Sequence, residues 1–182
     1  MQQLPTLKTE RLVLRPLVPE DAAAVRSLGG DRRVAEMTLL PHPFSEEDAR
    51  RWVEGRLAWA AKGKSRPFSV LLARDGVLVG HAGLLLDWEN EKAELHYWLG
   101  VPYWGRGYAT EAVRELVRHA FEDLGLGRVY ADHVVRNPAS GRVLQKVGMS
   151  YEGCLRRDFK KWDRFEDLAL YGMLAEEWRP AG

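Results

Sequence analysis

The stretch Tyr103-Trp104-Gly105-Arg106-Gly107-Tyr108-Ala109-Thr110-Glu111-Ala112 decides how the rest of the chain is read. Its glycines stand just before the longest amphipathic run. There Ala109, Ala112, Val113, Leu116, Val117, Ala120, Phe121 and Leu124 recur at three- and four-residue spacing, with Arg114, Glu115, Arg118 and Glu122 opposite. The period predicts a helix from Gly107 to Leu124, stopped by Gly125 and Gly127. A glycine loop entering a helix lets several backbone N–H groups converge on one anion at the positive end of the dipole. The pattern predicts a diphosphate cradle. Its plain alternative is a tight turn that needs glycine for positive φ.

Working outward, Ala93 to Leu99 reads as the strand feeding this loop and Val129 to Val135 as the strand after the helix. Strand, helix and strand make a crossover unit with parallel strands. Upstream, Pro67 to Arg74 and Val77 to Leu86 form a hairpin around Asp75-Gly76, read as a two-residue turn. Earlier still lie a strand over Arg11 to Leu17, a helix from Pro19 to Leu28, and a second helix behind a Ser45/Asp48 capping box, running to Lys62. Downstream come a short helix from Pro138 to Val147, stopped by Gly148, and a hairpin of Ser150 to Phe159 with Phe165 to Met173. These seven strand candidates predict an α/β (mixed α+β) fold: a mixed, mostly antiparallel sheet with helices on both faces, in one domain spanning 1–182.

Composition narrows the function classes. Lys and Arg number 27 against 26 Asp and Glu, so a net charge of +1 provides no field to gather nucleic acid or anionic membrane. The single cysteine, Cys154, excludes an intramolecular disulfide framework and reads as a small buried residue. The five histidines show no paired ligand spacing, so no metal site is expected. No apolar run approaches the roughly 20 residues of a membrane span, and Met1 to Thr9 lacks a signal-peptide core. A cytoplasmic location is expected.

Two other phosphate motifs fail on their letters. The dinucleotide fingerprint needs Gly or Ala where Thr110 stands, and a second mononucleotide half that the element order lacks. Gly63-Lys64-Ser65 imitates the end of a P-loop, but Ala58 occupies the required glycine position and a strand follows.

Gly105-x-Gly107-x-Ala109, following a strand that contains Ala93-Glu94-Leu95, resembles the acyl-CoA pyrophosphate loop of the GNAT acetyltransferases. Asn137-Pro138-Ala139-Ser140-x-x-Val143-Leu144-x-Lys146-x-Gly148-Met149, then Glu152-Gly153-x-Leu155-Arg156, is similar to the Rim-type subgroup that acetylates ribosomal-protein N-termini. Leu7-Lys8-Thr9-Glu10-Arg11-Leu12-x-Leu14-Arg15 matches that subgroup's opening strand. The resemblance implies the GNAT fold, acetyl-CoA as cosubstrate, and direct acetyl transfer to an amine in a ternary complex. Two positions depart from the superfamily pattern: Trp104 stands where many members have Gln or Arg, and Leu144 where many have an acidic tyrosine. The subgroup resemblance offers Ser140 as the acid instead.

The reaction needs a neutral amine, stabilisation of the carbonyl oxygen and a proton for the thiolate. The resemblance suggests Glu94 as base; His96 shares its strand face by period-two alternation and is the alternative, as is water. The phosphate loop would comprise Trp104, Gly105, Arg106, Gly107, Tyr108, Ala109 and Thr110, with N–H groups near Leu99 and Gly100 polarising the thioester if the strand splays. Asn137 either caps its helix or binds the pantetheine arm; Arg142 and Lys146 are candidates for the phosphates. The acceptor side would be built from Leu39 to Phe44, Asp87 to Glu91 and Trp162-Asp163-Arg164. The acceptor is expected to be a protein N-terminal α-amine, with a polyamine or aminoglycoside, or a non-catalytic acyl-CoA sensor, as alternatives. A monomer or homodimer is compatible with the sequence.

Overall fold

The computed structural model describes residues 4–180. Its strands are β1 (Leu7–Lys8), β2 (Leu12–Pro16), β3 (Ser65–Leu72), β4 (Leu78–Asp87), β5 (Lys92–Leu99), β6 (Arg128–Val134), β7 (Ser150–Lys161) and β8 (Arg164–Leu174). They form one sheet in the order β1-β2-β3-β4-β5-β6-β8-β7. Every neighbouring pair is antiparallel except β5 with β6, the pair joined by the crossover helix. The mixed, mostly antiparallel sheet is therefore as expected, with eight strands rather than seven. The addition is the two-residue β1, which Thr9 folds back on β2 by donating its N–H to Leu12 O at 2.9 Å.

Helices α1 (Ala22–Gly29), α2 (Arg32–Ala35) and α3 (Glu46–Ala61) share one core cluster with Trp98 of β5. The larger cluster holds α4 (Tyr108–Arg118), α5 (Pro138–Val147) and the sheet residues Ala93, Leu95 and Leu99. Alternate residues of β5 thus serve different layers, as a period of two requires. The α4 stripe Ala112, Val113, Leu116 and Val117 is at most 1% exposed. Each of its larger side chains contributes about 1.5–3 kcal/mol by leaving water. Ser45 caps α3 as predicted: its Oγ accepts from Asp48 N at 3.1 Å and Asp48 Oδ2 accepts from Ser45 N at 3.2 Å.

Three local readings change. The β3–β4 connection is wider than a two-residue turn, occupying residues 73–77, and it closes through Gly76 N donating to Leu72 O at 2.8 Å. The helix expected to reach Leu124 turns π-helical over His119–Asp123, where buried His119 sets Nδ1 2.7 Å from Asp123 Oδ2. The four-residue α2, too short for a periodic signal, is capped by Asp31, whose Oδ1 accepts from Arg33 N at 2.9 Å.

One buried carboxylate ties the α1 layer to the sheet. Asp21, 5% exposed, accepts from Arg15 at 2.8 and 2.6 Å, from Ser69 Oγ at 2.6 Å and from Val18 N at 3.1 Å. Burial alone would raise its pKa, but these donors together hold it below the usual carboxylate value. A depressed native pKa contributes stability at neutral pH that is lost as pH falls through that value. Asp21→Ala should cost about 3 kcal/mol in urea unfolding at pH 7. The gap from the parent should begin to narrow as the pH drops below about 4 and go on narrowing through the depressed native value.

Candidate active site

Only three residue pairs hold β5 to β6: Lys92 with Arg128, Ala93 with Val129, and Glu94 with Tyr130. Beyond Glu94 the two strands part, and the remaining lengths of both border a cleft. On its other side β5 stays paired to β4 up to Leu99 opposite Gly80. Gly100 N donates to Val79 O at 2.9 Å, so that N–H is spent on the sheet and is not available to a thioester. Alternation along an antiparallel ladder then turns the N–H and C=O of Leu99 away from β4 and toward the cleft. Consistently, Leu99 O accepts from Trp104 Nε1 at 2.7 Å. Of the two N–H groups expected to polarise a carbonyl, that of Leu99 faces the cleft and that of Gly100 is bonded within the sheet.

At the cleft's mouth a short 3₁₀ turn, Val101–Tyr103, leads through Gly105 (φ 72°) and Gly107 (φ 81°) into α4. Both glycines occupy the left-handed region that side chains resist. No side chain caps α4. The first-turn N–H groups of Tyr108, Ala109 and Thr110 therefore stay free to point at an anion. A clamp from β2 holds the loop. Arg11 donates to Glu111 at 2.7 Å and to Arg106 O at 3.0 Å, lies over the Tyr108 ring at 5.0 Å, and Thr9 Oγ1 donates to Glu111 at 2.6 Å. The groove beside it, about 570 Å³, is lined by Gly107, Arg114 and Lys146 together with the carboxylates of Glu10, Glu111 and Glu115.

On the α3 side of the cleft, Glu94 receives a hydrogen bond from Tyr130 Oη at 3.4 Å. Burial first, then nearby Asp132, pushes its carboxyl above the ordinary range, while Tyr130 and Arg56 pull the other way. Asp132 keeps solvent contact, yet the protein mass around it and Asp158 raise its carboxyl as well. His96 shares Glu94's face, as alternation predicted, with Nε2 3.3 Å from Arg56 Nη1. Burial and that guanidinium push its pKa down to about 3, so the imidazole is neutral and a weak proton acceptor.

On the α4 and α5 side, Tyr97 Oη lies 2.7 Å from Ser140 Oγ and 3.2 Å from Ser140 O. This pair bridges the cleft from β5 to the first turn of α5. Burial raises the Tyr97 hydroxyl to about 12, so it stays protonated beside Ser140. Asn137 caps α5, with Oδ1 accepting from Ser140 N at 3.4 Å, which settles the capping half of its two expected roles.

The GNAT acetyltransferase domain model matches residues 11–150, which include the loop, β5 and Ser140. The chain belongs to the GNAT acetyltransferase family. It is 38% identical over 175 residues to the putative ribosomal N-acetyltransferase YdaF of Bacillus subtilis, covering 93% of this chain and 94% of that one. The ribosomal-protein-serine acetyltransferase of Escherichia coli is 29% identical over 133 residues, 72% of this chain and 73% of that one. Among solved structures, a GNAT-family acetyltransferase from Bacillus anthracis superposes with a TM-score of 0.84 at 28% identity, covering 95% of this chain and all of that one. The ribosomal L7/L12 α-N-protein acetyltransferase RimL, solved with coenzyme A, superposes at 0.86 with 19% identity, covering 93% and 98%.

As a GNAT enzyme the chain uses acetyl-CoA. The site fits it: a Cβ added at Gly105 would meet nothing within 4 Å, so the loop backbone lies open, and uncapped α4 donors face that opening. Of the two cations offered for the phosphates, Lys146 lines the groove with Gly107, whereas Arg142 opens on a separate groove with His133, Cys154 and Tyr171. Cys154 is exposed rather than buried, because β7 is the sheet's edge. Two of the three expected acceptor segments meet: the His42 and Trp162 rings lie 6.3 Å apart, and Lys161, beside the hairpin tip, donates to Leu40 O. The Asp87 to Glu91 turn sits instead at the paired end of β5.

Sequence reading missed Tyr97, Tyr130, Asp132, Arg56 and the Arg11–Glu111 clamp, all of which act across long separations. Alternation alone could have set Tyr97 on the face opposite Glu94. Coenzyme A in hundredfold excess over its Kd should stabilise the parent protein by about 2.7 kcal/mol. Gly107→Glu, which sets a carboxylate at the helix terminus, should abolish the melting shift while leaving the far-ultraviolet spectrum unchanged.

Proposed function

We propose that this GNAT enzyme acetylates the α-amine of a protein N-terminus by direct transfer, with Glu94 as general base and Ser140 as general acid. The observation that carries the assignment is the opposed pairing across the parted strands: a desolvated carboxylate on one face of β5, and the Tyr97–Ser140 hydroxyl pair on the other. Bound acetyl-CoA supplies the thioester carbon that the amine attacks.

Glu94 takes a proton from the acceptor ammonium, directly or through water. Its raised pKa brings it nearer that of the amine and makes the transfer less uphill. The Leu99 N–H donates to the carbonyl oxygen as negative charge develops there. Ser140 Oγ–H gives its proton to the departing thiolate while Tyr97 Oη–H stays hydrogen-bonded to the oxygen left behind, and solvent returns the proton to Ser140 as Glu94 releases its own. His96, held neutral by burial and by Arg56, is a poor rival for the base. Cys154 is not needed as an acyl carrier.

An α-amine suits a single carboxylate base. Its reference pKa of about 7.7–8.0 leaves much more neutral nucleophile at pH 7 than a lysine near 10.4. The Escherichia coli relative named for ribosomal-protein serine supports this acceptor class. A polycationic small amine is the second reading, favoured by Asp132 near the base and by Asp158 beside Asp132.

Glu94→Gln should lower kcat/KM by roughly 10²- to 10⁴-fold with coenzyme A affinity retained, and rising pH should restore part of the loss. In the parent, kcat/KM should fall on the acid side at a pH above the ordinary glutamate value of about 4.3, because the base must be ionised. Mass spectrometry of products from N-terminal peptides, spermidine and an aminoglycoside checks the acceptor. Acetylation of the peptides is expected; turnover of the polycations alone overturns it.

A further inference from the structure

Arg56 is a cation with no ion-pair partner among the described residues, Glu94 acting on it only from longer range. Helix α3 sets Trp52 and Arg56 four residues apart on the side facing β5, and the guanidinium rests over the Trp52 ring at 5.1 Å. One N–H group points at His96 Nε2, 3.3 Å away. Among the described residues no carboxylate comes within ion-pair distance of it, whereas Arg15, Arg118, Arg128 and Arg136 each hold one. An arginine side chain carries five donors in a fixed fork. Here most are unspent in a half-buried position where burial already disfavours the charge.

The guanidinium is also kept from closing onto Glu94. Arginine only donates, so His96 Nε2 must be the acceptor and the ring proton sits on Nδ1. The imidazole is wedged between His81, stacked at 5.4 Å, and Gly83, where a Cβ would lie 2.9 Å from Nε2. Trp52 and His96 therefore hold the fork in place beside the base on the acceptor's side of β5, opposite Tyr97 and Ser140. Asp132 on β6 stands near the same base, and Asp158 on β7 stands near Asp132. An acceptor entering there meets carboxylates near its amine and an unpaired guanidinium nearby.

We propose that Arg56 binds a carboxylate carried next to the reacting amine of the acceptor, delivering that amine to Glu94. The inference rests on Glu94 as the base of an N-acetyltransferase. Under the N-terminal reading, the acceptor is a chain whose second residue is Asp or Glu; an α-amino acid offers the same chemistry through its own carboxylate. A planar fork matches a carboxylate with two parallel hydrogen bonds, which gives geometry as well as attraction. The same charge repels a polyamine.

The test compares C-terminally amidated peptides beginning Ser-Glu, Ser-Gln and Ser-Lys, together with free serine and glutamate, in acetyl-CoA turnover by the parent, Arg56→Gln and Arg56→Lys. The parent should prefer Ser-Glu over Ser-Gln by at least about tenfold in kcat/KM, carried by KM. Arg56→Gln should bring that ratio to near one, and Arg56→Lys should restore part of it as a point charge. The coenzyme A melting shift establishes that each variant is folded; if Arg56→Gln is not, Arg56→Lys and the parent's ratio decide. A parent without preference, or an equal loss on all acceptors with a displaced acid limb, overturns the inference and makes Arg56 only an electrostatic neighbour of Glu94. Preference for the free amino acids over peptides upholds Arg56 and overturns the N-terminal acceptor. Failure of every amine overturns the transferase reading itself, and the Arg56 assignment with it.

Discussion

The parallel contact between β5 and β6 spans three residue pairs and then gives out, and the rest of the molecule is arranged around that break. A strand edge left in the middle of a sheet carries backbone donors and acceptors that must be satisfied by something. Part of the account is settled internally: the Trp104 indole takes the Leu99 carbonyl, and Tyr97 reaches across to Ser140. The Leu99 N–H is left facing the cleft, beside a helix whose first turn has no cap. Donors that the fold leaves unpaired at one place are what a phosphate-bearing thioester requires.

The break also separates two chemical environments on a single strand. Glu94 and His96 project toward α3, while Tyr97 projects toward α5. Desolvation acts on all three with different consequences, because it opposes whichever form is charged. It lifts Glu94, lowers His96 and lifts Tyr97. A carboxylate with raised basicity, a histidine held neutral and a phenol held protonated follow from one cause. Arg56 adds to the lowering of His96 and partly offsets the lift of Glu94, without forming an ion pair with it.

Rigidity comes from the α1–α3 layer and from the loop clamp. Asp21 fastens the start of α1 to β2 and β3. Arg11 and Thr9 fasten the first turn of α4 to β2 through Glu111. Elsewhere, Arg136 joins Glu166 of β8 to the Glu36 carbonyl after α2. The loop before α4 and the segment after α2 are thus each tied to the sheet by a charged side chain from a distant part of the chain.

The amphipathic period of α4, the Ser45 capping box, the glycine pair before Tyr108 and the alternation of β5 were all legible in the letters. Each is a local property set by 3.6- or 2-residue periodicity, by a cap, or by the steric freedom of glycine. The resemblance of the Asn137 to Met149 segment added Ser140, which no periodicity could have singled out. Tertiary structure alone decided that Gly100 spends its N–H on Val79, that Tyr97 partners Ser140, that Arg142 faces a different groove from Lys146, and that Arg56 stands unpaired near Glu94. Those facts depend on strand register and on contacts between residues 40 or more positions apart, and such contacts leave no spacing in the sequence to read.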